Sequence, residues 1–258
     1  MAGVSLSPGM MAFLLCMLFL AGFIDSAAGG GGLISLPAYL FAGLSPHLTY
    51  GTNKFSAACG TTFSTLRYLR SGAVELKTAL LAALGSFAGS ALGVQLVMLL
   101  SDQALQTTLL IILPVAAVLI LWRRDLHDDS RYDGQLTPKK ALLALAIGFG
   151  IGCYDGAFGP GTGTFAILAF STVLGFDLRT AGGNAKLLNL VSNYASLITY
   201  LCSGLVVFSV ALPCAAANIA GNLLGSRLAL KKGSRFIRPM MLCVLCLLLC
   251  KIGWDNLT

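Results

Sequence analysis

The chain has 258 residues, of which 57% are hydrophobic and only 10% charged, with a formal net charge of +7. Soluble domains carry about 25% charged residues, so this composition excludes a water-soluble globular protein, and the mean hydropathy of +0.84 agrees. The positive balance is not a nucleic-acid signal, because the basic residues fall in short stretches between apolar runs.

In chain order, Met1–Leu20 carries no Lys or Arg; the first is Lys54. The basic start of a signal peptide is therefore missing, and this stretch is expected to be a first membrane segment. Five hydrophobic segments are predicted in the first half, at about 6–24, 33–44, 52–69, 73–100 and 104–122. Five more follow, at about 141–154, 163–176, 184–201, 205–230 and 236–253. Runs such as 73–100 are long enough to span, since about 20 helical residues cross a hydrocarbon core of about 30 Å. The short alternating segments of a transmembrane barrel are absent. The fold class is thus an all-α polytopic membrane protein. Arg123–Lys140, with five basic and four acidic residues, is the one long polar stretch and reads as a linker.

The halves repeat. Asp25, Gly29 and Gly31 meet Asp155, Gly159 and Gly161 at an offset of 130; Gly51, Lys54, Tyr68, Gly72, Gly89, Gly93 and Trp122 meet Gly183, Lys186, Tyr200, Gly204, Gly221, Gly225 and Trp254 at 132. Equivalent loops carry opposite charge bias. Arg67, Arg70 and Lys77 surround the loop after the third segment, whose counterpart near 201–209 has no basic residue. The loop at 101–103 also has none, while its counterpart holds Lys231, Lys232, Arg235 and Arg238. Basic loops collect in the cytoplasm. The halves 1–122 and 141–258 are therefore expected to be inverted-topology repeats, with 123–140 cytoplasmic and both termini outside. Inverted repeats characterise secondary transporters, whose sites lie near the midplane between repeats; an anion channel can share the architecture.

Of the ten acidic residues, only Asp25 and Asp155 sit in apolar surroundings. A carboxylate at the centre of a membrane helix costs about 2.5–3.5 kcal/mol or more, so each is expected to have a partner or a task. Both precede glycine-rich runs, Gly29, Gly30, Gly31 and Gly32 in one half and Gly159, Gly161 and Gly163 in the other. The segments that follow are short, which suggests broken or re-entrant helices at crossing loops. The aspartates would relay a proton or brace those loops by accepting backbone hydrogen bonds. Gly85, Gly89 and Gly93 have the spacing of close helix contact.

A second constellation is basic. Lys186, Asn189 and Asn193 share a helical face; the first-half counterparts are Lys54, Ala57 and Thr61, with Thr52 and Asn53 just before, as Asn184 precedes Lys186. Lysines among amides and hydroxyls suit a small anion, as do helix N-termini. The bland alternative is that the lysines snorkel to an interface. The eight cysteines lie mostly in apolar runs, and Cys243 and Cys246 have no His or acidic companions, so they read as small hydrophobes rather than a metal site. No nucleophile with a matching base occurs, so no enzyme, cofactor or metal is expected.

The Asp followed by a glycine-rich loop, then Gly-Thr-Asn-Lys (51–54), Ser71-Gly72, Gly-Asn-Ala-Lys-Leu-Leu-Asn (183–189) and Ser203-Gly204 together resemble the sulfite exporter TauE/SafE family over roughly residues 10–253. The resemblance implies secondary transport of a small sulfur-containing anion (sulfite, thiosulfate or an organosulfonate) across the inner or plasma membrane. The mechanism would be alternating access, with a proton as candidate coupling ion. It also implies about eight spans, which ten segments meet only if some are half-helices. Pro160 and Thr162 depart from the glycine run.

Overall fold

The computed structural model describes residues 6–105, 107, 131–233, 235–237 and 239–240. Eight helices are bounded there, residues 102–105 and 235–237 are also helical, and no strand occurs among the described residues. The eight are α1 (Pro8–Ala28), α2 (Gly32–Phe41), α3 (Pro46–Arg70), α4 (Leu76–Met98), α5 (Pro138–Ala157), α6 (Thr162–Thr172), α7 (Leu178–Cys202) and α8 (Phe208–Lys232). The segments expected at 104–122 and 236–253, and the Trp122–Trp254 match, lie mostly or wholly outside the described residues.

By length and composition α1, α4, α5 and α8 can each cross a membrane, while α2 and α6 are short apolar helices of 10 and 11 residues. The third and eighth segments begin about six residues earlier than expected. Ser45 and Pro46 open α3, and Asp177 caps α7 by accepting from the N–H groups of Arg179 and Thr180. Pro at the first helical position and an acidic N-cap are start signals. Lys54 and Lys186 therefore do not open their helices; each is the ninth residue, more than two turns inside.

Small residues set the packing. A Cβ on Gly85, Gly89 or Gly93 of α4 would come within 2.3, 2.2 or 2.2 Å of the carbonyl oxygens of Leu145, Phe149 and Cys153 in α5. On α8, Gly221 and Gly225 meet the Phe19 and Phe23 carbonyls of α1 in the same way, at 2.1 Å each. Such approach lets dispersion act between backbones, the main source of helix association in lipid. In both pairs the residue numbers rise together, so α4 and α5 are parallel, as are α1 and α8.

Helices α3 and α7 pack antiparallel: Lys54 meets Asn193, while Thr65 donates to the Lys186 carbonyl at 3.1 Å. Their contact faces are polar, so most of the buried side chains of α3 are hydroxyls, amides and a lysine. Large apolar side chains such as Leu84, Leu96, Leu142, Phe149, Ile198 and Leu212 point outward and are exposed, as a lipid-facing surface requires.

Tracing these directions gathers the charged ends. Arg67 and Arg70, Lys77, Lys139 and Lys140, Arg179, and Lys231 and Lys232 all fall at one end of the bundle, where Arg67 also donates to the Leu223 carbonyl. The opposite end holds His47 and Asp102, whose side chains pair.

Candidate functional site

The site forms where the last turns of α1 and α5 meet the middle of α3 and α7. Asp25 lies in the last turn of α1, which ends at Gly29 in the left-handed conformation (φ 77°). Asp155 lies in the last turn of α5. Beyond these turns the two glycine-rich loops cross in backbone contact. The Gly163 N–H donates to the Gly29 carbonyl at 3.1 Å, and Thr164 Oγ1 donates to the Ala28 carbonyl at 2.6 Å. Gly32 stacks on Pro160, and Gly30 and Gly161 are buried in the same crossing.

The four charges pair crosswise between the halves. Lys54 Nζ donates to Asp155 Oδ2 at 2.6 Å, and Lys186 Nζ donates to Asp25 Oδ2 at 2.6 Å. Lys54 and Lys186 are only 2% and 1% exposed, so neither reaches an interface and the snorkelling alternative is set aside. Among the described residues neither carboxylate accepts from a loop N–H, so the loops are held by their own glycine contacts rather than by the aspartates. Removing one partner of a buried ion pair costs about 3–5 kcal/mol because it strands the other charge, so each half depends on the other for its counter-charges.

A cavity lies between the pairs, with about 40 Å³ open to the centres of water-sized molecules. One water needs roughly 10–15 Å³ of such space, so it suits a few waters or a small ion. Its polar walls are Asp25, Ser35, Asn53, Lys54, Asp155, Asn189, Asn193 and Asn218, and Gly31, Gly32 and Gly159 complete it. Lys54 also donates to Asn193 Oδ1 at 3.1 Å, Asn193 donates to Asn189 Oδ1 at 2.8 Å, and Ser192 Oγ donates to Asp155.

Of the residues singled out from sequence, Asn53, Lys54, Asn189, Asn193 and both aspartates converge here. Lys186 stands behind Asp25. Thr52 and Asn184 do not line the cavity. Thr52 Oγ1 accepts from the Val207 N–H at 3.2 Å, and Asn184 Oδ1 accepts from the Glu75 N–H at 2.9 Å. Glu75 and Val207 are the N-caps of α4 and α8, so this equivalent pair anchors helix starts, where N–H groups otherwise lack acceptors. Asn218, Ser35 and Ser192 are additions. Asn218 and Asn222, one turn apart in the apolar middle of α8, are a legible signal; Ser35 and Ser192 offer none. No group of three metal-ligating side chains occurs among the described residues.

The family model described as Sulfite exporter TauE/SafE matches residues 14–252. A "Probable membrane transporter protein ORF9" of Sinorhizobium sp is 39% identical over 91% of this chain and 89% of its own length. A "Probable membrane transporter protein" of Haemophilus influenzae is 35% identical over 96% of each, and "Probable membrane transporter protein YfcA" of Escherichia coli K12 is 36% identical over 97% and 92%. No solved structure matches this chain.

Proposed function

We propose that this chain, which belongs to the sulfite exporter TauE/SafE family and is a membrane transporter, moves a small sulfur-containing anion by alternating access, coupled to a proton. The carrying observation is the pair of crossed ion pairs around a small amide-lined cavity. With both pairs closed the site is neutral overall. Neutrality explains how four ionisable groups persist at membrane depth. It also means that an incoming anion finds each ammonium already occupied by a carboxylate. A proton on one carboxylate releases its lysine, and the anion then takes the vacated place beside amides that donate to its oxygens. Sulfite is the anion in the family's description, and the cavity is small enough to suit an anion of that kind rather than a large solute.

The antiparallel packing of the equivalent helices α3 and α7 supports inverted repeats. The short α2 and α6, starting at the crossing loops, support re-entrant half-helices that rock against the bundle. The basic end of the bundle, with Arg67, Arg70, Lys77 and Lys231, is assigned to the cytoplasm, which leaves the N-terminus outside. This topology suits the inner or plasma membrane.

Flux into proteoliposomes tests the proposal, with labelled sulfite, thiosulfate, sulfoacetate and a neutral control, with and without a pH gradient. Accumulation against the anion's own gradient, driven by the pH gradient and abolished in K54A, is expected. Passive equilibration alone would mean an anion channel. Failure of every sulfur anion to move would overturn the assignment of substrate. Cysteines introduced near Asp102 should react with external impermeant maleimide and those near Lys231 should not; the reverse pattern refutes the orientation.

A further inference from the structure

The two crossed ion pairs are equivalent by sequence offset and unequal in surroundings. Asp155 accepts from both Lys54 and Ser192, and its side chain is 4% exposed. Lys54 has a second acceptor in Asn193, which is tied in turn to Asn189. Asp25 accepts one side-chain hydrogen bond among the described residues, from Lys186, and its side chain is 17% exposed where it lines the cavity. The Lys186 ammonium has three N–H donors and, among the described residues, this one acceptor.

The inequality is written in the sequence. Where the second half has Asn189, Ser192 and Asn193, the positions 132 residues earlier hold Ala57, Gly60 and Thr61. The counterpart of Ser192, which serves Asp155, is thus a glycine, and Asn218 fills the space above it. A Cβ on Gly60 would sit 2.0 Å from Asn218 Oδ1.

We infer that Asp25 alone takes up and gives up the coupling proton, and that Lys54–Asp155 stays closed as a fixed wall of the site. The inference rests on the proton-coupled anion transport proposed above. Protonating Asp25 disturbs one hydrogen bond. Protonating Asp155 disturbs two and breaks into the chain that orders Asn193 and Asn189. A proton from water on the open side adds to the Asp25 carboxylate, leaving the Lys186 charge uncompensated next to the cavity. An anion of single charge, such as hydrogensulfite, then restores neutrality. After reorientation the same oxygen loses the proton to water on the other side, Lys186 returns to Asp25, and the anion is expelled. One proton accompanies each anion.

The charged groups around Asp25 are consistent with this assignment. Lys186 comes from α7, and Lys54 of α3 and Asp155 of α5 line the same cavity. Tyr68 of α3 donates its phenol to the Ser26 carbonyl, with Arg179 within electrostatic reach of that phenol. On α2 the one ionisable side chain, Tyr39, bonds to Ser56, and α6 has none. On α8, Asn218 faces the cavity, while Arg227, Lys231 and Lys232 are exposed.

Two measurements decide. The purified wild-type protein is treated with dicyclohexylcarbodiimide, which captures protonated carboxyls in apolar surroundings, between about pH 5 and about pH 8, and the modified peptides are mapped by mass. Labelling of Asp25 that rises toward acid and exceeds that of Asp155 by about tenfold or more is expected. Equal or faster labelling of Asp155, or none at Asp25, overturns the inference. Next, the ratio of sulfite uptake with an inward acid gradient to uptake without one is compared among variants. It should fall to about 1 in D25N, since the proton linkage is gone, and persist in C16A, a change at an exposed position outside the site. Retention of the gradient effect in D25N overturns the inference. If the wild type moves neither sulfite nor thiosulfate, the transport proposal fails by itself, and the labelling still decides whether Asp25 is the protonating carboxyl.

Discussion

Gly29 meets two constraints that no side chain satisfies together. Its φ of 77° lies in the left-handed region, and a Cβ there would come within 2.2 Å of the Gly163 Cα. Gly29→Ala should therefore prevent folding, read as loss of the monodisperse peak in detergent gel filtration. Gly43 shares the positive φ (88°) but has open space around it, so Gly43→Ala should cost only about 1–2 kcal/mol and keep the peak. A second contrast separates helix anchors from cavity walls. Thr52→Val and Asn184→Ala each remove an acceptor from a helix-start N–H and should lower stability by about 1–3 kcal/mol, with no rise in KM. Asn189→Ala removes a cavity amide and should raise KM for the transported substrate. The lysines, asparagines and aspartates of the site were legible because polar groups in an apolar chain stand out. Their pairing was not. The repeat offset links Asp25 with Asp155 and Lys54 with Lys186, yet the ion pairs join non-equivalent residues across the halves. Spacing along one helix carries no information about which helix it faces.

At the scale of elements, the apolar runs marked α1, α4, α5 and α8 within a few residues. Helices α3 and α7 looked shorter than they are, because their polar faces bury against each other and interrupt the hydropathy that a lipid-facing helix would show. The fourfold glycine spacing of α4 was also readable, and its partner α5 was not. Gly89→Leu should drive α4 from α5 and destabilise the protein by about 1–3 kcal/mol or more, visible as a lower thermal midpoint. The stretch before α5 is tied down by main-chain bonds from Arg131 and Tyr132 to the Gly175 carbonyl and by a hydrogen bond from Lys140 to Asp133. That Lys140 hydrogen bond, joined by the Gln135 N–H, holds the Asp133 carboxyl below the ordinary carboxylate range. A lowered folded-state value means the contact is present above the ordinary carboxylate value and is lost as pH falls through the lowered one. Amide exchange over residues 131–137, corrected for its intrinsic pH dependence, should therefore gain protection between these limits and lose it in stronger acid. High salt should weaken the effect, since Asp133 is exposed.

For the molecule as a whole, the crossed pairing has a consequence for synthesis. Translation delivers Asp25 and Lys54 to the bilayer well before Asp155 and Lys186 exist. Until the second half arrives, the nascent first half holds a carboxylate and an ammonium without their eventual partners, each at about 2.5–3.5 kcal/mol when placed mid-bilayer. Insertion of the early helices must then be provisional, with α1 and α3 shielded by water, lipid headgroups or the insertion machinery. A chain stopped after residue 122 should be cleared rapidly by membrane proteases in a pulse-chase experiment. Co-expression of residues 123–258 as a separate chain should extend its lifetime several-fold, because each half supplies the counter-charges that the other lacks.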